Sequence, residues 1–97
     1  MKLNEFLTDY NWCHGVGENS EYYAQDDDGN PVHYRDPMAS RFTLMGAMHV
    51  VYPDDTYWQV QDKYASLIRV LHGQKIKDFN DSCSWDDMKH ILETIDA

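Results

Sequence analysis

Apolar residues recur along this chain in helical rhythm at four places. Leu3, Phe6, Leu7 and Tyr10 follow i, i+3, i+4, i+7 spacing, with Asn4, Glu5, Thr8 and Asp9 on the opposite face. Gly15 and Gly17 are expected to end this helix around Trp12-Cys13-His14. A second helix is predicted to open at Asp36-Pro37, with Asp36 as N-cap and Pro37 at the first helical position. Met38, Phe42, Met45, Met48 or His49, and Tyr52 form its stripe, and Pro53 stops it. Ala39, Gly46 and Ala47 are small. A mid-helix glycine costs about 1 kcal/mol against alanine, so Gly46 is expected to let another helix approach closely. The third helix has capping residues and acids at Asp54, Asp55 and Thr56, an apolar stripe of Tyr57, Val60, Tyr64, Leu67, Ile68 and Leu71, and a stop at Gly73. Residues 74–83 read as a loop anchored by Ile76 and Phe79. Ser84 then caps a last helix, Asp87 returns the bond, and Trp85, Met88, Ile91, Leu92 and Ile95 make its stripe.

Between the first two helices the pattern changes. Glu21-Tyr22-Tyr23-Ala24, the turn Asp26-Asp27-Asp28-Gly29-Asn30, and Pro31-Val32-His33-Tyr34 read as a β-hairpin with an acidic loop. The expected fold is mainly α: a small four-helix domain with one β-hairpin between helices 1 and 2, forming a single acidic globular domain over 1–97. At 97 residues the chain buries roughly 60–65% of its unfolded surface, enough for one modest core.

Charge narrows the function. There are 17 acids and 8 bases, for a net charge of -9, and the acids are spread over both halves. Neutralising phosphates or anionic lipid needs the opposite sign, so direct nucleic-acid and membrane-surface binding are disfavoured. No apolar run spans a bilayer, and Met1 to Trp12 lacks a secretory core, so a cytoplasmic protein is expected. Cys13 and Cys83 are expected to be reduced thiols.

Candidate chemistry is sparse. Cys13-His14 could supply a nucleophile pair or metal ligands, but neighbouring residues seldom aim at one atom, and no paired-ligand spacing accompanies them. No metal and no cofactor is expected. The Asp26–Asn30 turn matches half a calcium loop, yet Arg35 to Pro37 follow where the closing glutamate belongs. Nucleotide-cradling glycine motifs are absent from the sequence.

Four short strings occur in a suggestive order: Trp12-Cys13-His14-Gly15, Asp26-Asp27-Asp28-Gly29-Asn30-Pro31, Ala39 through Leu44 to Gly46-Ala47, and Phe79-Asn80-Asp81. Together they resemble a family of small actinobacterial and phage proteins of unknown function. Its members run W-C-x-G, D-x-x-G-x-P, A-x-x-x-x-L-x-G-A and W-N-D; here Phe79 replaces the usual tryptophan. The resemblance carries no activity. It implies a phage or bacterial cytosolic setting and marks Trp12, Cys13, Asn80 and Asp81 for attention.

The reading these features favour is a non-enzymatic interaction protein: a small acidic phage-type inhibitor of a bacterial defence or nucleic-acid-handling protein, of the anti-CRISPR or anti-restriction kind. It would bind a basic surface through Tyr22, Tyr23, Asp26, Asp27, Asp28, Asp54 and Asp55 in the host cytoplasm. The alternative is a small enzyme or ligand-binding domain using Trp12, Cys13, His14, Asn80 and Asp81. A homodimer through an exposed helix stripe is a third reading.

Overall fold

The structure, a computed structural model, describes residues 2–15, 23–52 and 55–95. Among these, five helices and three strands follow in the order α1 (Leu3–Phe6), β1 (Tyr23–Gln25), β2 (Pro31–His33), β3 (Arg41–Phe42), α2 (Leu44–Val51), α3 (Thr56–His72), α4 (Ile76–Ser82) and α5 (Trp85–Thr94). The fold is mainly α, as the periodicity predicts, but it holds one more helix and one more strand than expected.

The first helix closes after one turn. The Asn11 side-chain amide donates to the Phe6 carbonyl at 2.8 Å, and its oxygen accepts from the Thr8 N–H at 2.6 Å. Those two bonds take the backbone groups that a continuing helix would need. Leu3 and Leu7 still reach the core, whereas Tyr10 is 88% exposed and not part of an apolar face.

The hairpin forms where expected, with Ala24 opposite Val32. A third strand, β3, pairs antiparallel with the other edge of β1, giving the order β2-β1-β3. Trp12 extends the sheet past β3: Cys13 N–H donates to the Phe42 carbonyl at 3.0 Å, and Phe42 N–H to the Asn11 carbonyl at 2.6 Å.

The third strand corrects the predicted start of the second helix. Asp36 caps only a turn, its carboxylate accepting from Met38 N–H at 2.8 Å. Ser40 and Thr43 then spend their N–H groups on the Gln25 and Tyr23 carbonyls. Sheet pairing therefore outcompetes helix until Thr43, which caps α2 by accepting from Gly46 N–H at 3.1 Å. Met38 lies on the surface and is not a core residue. The partner that approaches Gly46 is not a helix but the backbone of β1: a Cβ added there would lie 2.9 Å from Tyr23 Cβ and closer still to the Tyr23 carbonyl oxygen.

The third and last helices form where their sequence signals place them, with two departures in α3: Asp55 at its N-cap makes no side-chain capping bond, and Leu71 is 49% exposed rather than part of the core stripe. α3 ends at Gly73, which takes a left-handed φ of 66° and donates to the Arg69 carbonyl. Ser84 caps α5 by accepting from Asp87 N–H at 3.2 Å. The expected loop over 74–83 is mostly helix, because Ile76, Phe79, Asn80 and Cys83 repeat at i, i+3, i+4, i+7 and all four are buried. One buried apolar cluster runs from Leu3 to Leu92, with Leu44, Met48, Tyr64, Ile68 and Met88 among its fully enclosed members.

Candidate functional site

Two constellations stand out. The first brings together Trp12, Cys13, His14, Asn80 and Asp81, residues some 66 positions or more apart in pairs. Asn80, on α4, is only 2% exposed. Its side-chain oxygen accepts from Trp12 Nε1 at 2.8 Å and from Leu44 N–H at 2.9 Å. Its amide nitrogen donates to the Cys13 carbonyl at 3.2 Å and to Asp81 Oδ1 at 3.0 Å. Two acceptor sites and two donors are the full capacity of an asparagine side chain, and all four are used. Asp81 Oδ1 also accepts from Gly15 N–H at 2.5 Å, and His14 Nε2 lies 2.8 Å from the Cys83 carbonyl. Trp12 packs between the rings of His14 and Trp85.

Chemically this arrangement is a joint. It ties the segment 12–15, the start of α2 and the middle of α4 into one unit, and its polar groups face each other. Burial pushes the Cys13 thiol up to about 11; nearby Arg41 opposes the rise and Asp81 adds to it. A thiol titrating near 11 rather than 9.0 holds about a hundredth of the thiolate at neutral pH. Native-state alkylation of Cys13 by iodoacetamide, followed by peptide mapping, is therefore expected to run at least about tenfold slower than that of free cysteine, since the higher nucleophilicity of a more basic thiolate offsets part of the loss. A rate near that of free cysteine would restore Cys13 as a candidate nucleophile. Burial likewise pushes Cys83 up to about 11. Both cysteines are free thiols.

The second constellation is a row of rings from the end of β2, the turn after it, α2 and α3. His33 stacks on Tyr34 at 4.2 Å between centroids, Tyr34 on His49 at 4.8 Å, and His49 on Tyr57 at 4.0 Å. Tyr57 meets Trp58 edge-on at 5.0 Å. Tyr23 flanks the row, 5.8 Å from His49 and 6.3 Å from Tyr34, and the Arg35 guanidinium sits 5.6 Å over the Tyr34 ring. Tyr23 has a left-handed φ of 54°, a conformation unfavourable to a bulky side chain. Its carbonyl is held by the N–H and hydroxyl of Thr43. Burial lowers the His49 pKa, with Arg35 and His33 adding to the effect, and raises the Tyr57 phenol to about 12.

The row is buried in its middle and open at both ends: Tyr57 is 4% exposed, whereas His33 is exposed and Trp58 is 63% exposed. Two segments near the row in sequence carry acids. Asp55 precedes the first turn of α3, two residues before Tyr57, and is exposed. The turn after β1 carries Asp26, Asp27 and Asp28. Asp26 is spent on the turn itself, accepting from Asp28 and Asn30 N–H groups at 3.0 and 2.9 Å, and those bonds hold its carboxyl below the usual range. Asp27 and Asp28 are left exposed to solvent. The contacts of Tyr23 with His49, and of His49 with Tyr57, set the base of the hairpin beside α3. Tyr22 and Asp54 lie outside the described residues.

Sequence periodicity missed this row. His33, Tyr34, His49, Tyr57 and Trp58 come from three separate stretches of the chain, and no single-element pattern joins them. Among the described residues, no three His, Cys, Asp or Glu side chains group in a way that could hold a metal ion. Nor is any described helix long and apolar enough to cross a membrane. No family model, curated protein or solved structure matches the chain.

Proposed function

We propose that this protein is a non-enzymatic binding module that docks an acidic, aromatic-tipped face on a basic surface of a partner protein. The observation that carries this reading is Trp58: a large indole 63% exposed at the end of a stacked row, in a chain of net charge -9. Tryptophan is among the residues that dominate binding energy when a partner covers them. The stack behind it limits its motion, which lowers the entropy lost on docking. Asp27, Asp28 and Asp55 supply the negative field that speeds encounter with a basic partner. A surface built to receive phosphates has the matching charge, so inhibition of a nucleic-acid-handling protein in the bacterial cytoplasm is the form of the reading that the charge supports.

The test is capture from a bacterial lysate on the wild-type protein and on two variants in parallel, with elution in salt steps. One stoichiometric basic partner is expected, released by salt and displaced by DNA. Trp58→Ala should weaken binding about 30-fold or more, and Asp27→Asn with Asp28→Asn should slow association and flatten its salt dependence. A partner retained equally by both variants, or no retained protein at low salt, would defeat the proposal.

A further inference from the structure

A groove of about 650 Å³ lies between α3 and α4, and its charge is opposite to that of the rest of the molecule. Met45, Ala65 and Ile76 give it apolar lining, and Arg69, Lys75 and Lys77 line it with a single acid, Asp62. Three of the chain's 8 basic residues thus converge on one groove of a protein with net charge -9. All three are exposed, and none has an ion-pair partner among the described residues. The net charge does not cancel this local field, because exposed charges are screened beyond about 8 Å at physiological salt.

From this placement we infer that the groove is a docking site for an acidic peptide segment of a partner protein, one that carries an apolar side chain between its carboxylates. The apolar side chain rests on Met45 and Ile76. The carboxylates meet the Arg69 fork, which suits them bidentately, and the two lysines. A peptide fits better than a compact metabolite because the apolar surface continues beyond the groove: Val70 follows Ser66 by one helical row and is 80% exposed. This site shares no residue with the Trp58 face, so either can fail without the other. Together they make the molecule two-sided, with an acidic face for a basic partner and a basic groove for an acidic one.

The experiment is fluorescence anisotropy with the full chain and a labelled peptide of about ten residues alternating Glu with Leu, a length suited to a groove of this kind. Saturable binding in the micromolar range is expected, with backbone NMR shifts centred on Ala65 and Ile76. Lys75→Gln with Lys77→Gln should raise Kd about tenfold. Both side chains are exposed, so circular dichroism should show an unchanged fold. Replacing Leu with Ser in the peptide should weaken binding comparably. Three results would overturn the inference. One is no saturation up to about 1 mM peptide, the weakest useful affinity. Another is equal binding by the Ser peptide, which means charge attraction alone. The third is concentration-dependent self-association that the Lys75/Lys77 variant abolishes, which gives the groove to a second copy of this chain.

Discussion

Replacing Asn80 with alanine is expected to remove a third or more of the protein's stability. The substitution removes one small side chain but strands the Trp12 indole N–H, the Leu44 backbone N–H and the Cys13 carbonyl. An unsatisfied buried polar group costs about 1–3 kcal/mol, so the three together cost about 3–5 kcal/mol even with some relaxation. A domain of this size has about 5–15 kcal/mol in total. Urea titration followed by tryptophan fluorescence should show the midpoint falling by a third or more, and Tm should drop by at least about 15 °C. Asn80→Asp provides the control. It keeps the two acceptors but loses the donors, and it sets a second carboxylate against Asp81, which raises its folded-state pKa above the ordinary aspartate value. Its penalty should therefore grow as pH rises above about 4 and shrink in acid, a dependence that Asn80→Ala lacks. A loss below about 1 kcal/mol for Asn80→Ala would mean that water replaces the amide and the joint is not what fixes these segments.

That joint shows what the sequence could and could not reveal. Trp12, Cys13, His14, Asn80 and Asp81 can be singled out as residue types, and the structure does bring them together. The helix that presents Asn80 cannot be read so easily, since a buried asparagine interrupts an otherwise regular stripe of Ile76, Phe79 and Cys83. Local signals succeed where the deciding contacts are local: Ser84 with Asp87, Gly73 after α3, Gly29 in the hairpin turn. They mislead at Asp36-Pro37, where a good cap loses to backbone bonds with β1 more than ten residues away. The ring row is hardest to foresee, because stacking depends on how β2, α2 and α3 meet rather than on any one element's period.

Gly46→Ala gives the sharpest test of how those elements meet, because two effects of opposite sign compete at one atom. By helix propensity alone the variant gains about 1 kcal/mol. Against this, the new methyl enters β1: Tyr23 Cβ at 2.9 Å, Tyr23 carbonyl carbon at 3.1 Å, and the carbonyl oxygen nearer still. Tyr23 cannot retreat cheaply. Its carbonyl is held by Thr43, its backbone is already left-handed, and its ring packs beside His49 and Tyr34. Overpacking against such a neighbour costs about 1–3 kcal/mol, and more where backbone must move. We expect a net loss of about 2 kcal/mol, seen as a Tm lower by about 10 °C. Loss of near-ultraviolet dichroism from the Tyr34–His49–Tyr57 stack should accompany it, since moving Tyr23 loosens the row it flanks. The same variant should then weaken partner binding through Trp58, which sits on that row but is far along the chain from Gly46. A higher Tm would show that β1 yields freely and that glycine is not required for the strand to reach α2. Lower stability with partner affinity intact would separate the packing of the hairpin from the anchoring of Trp58.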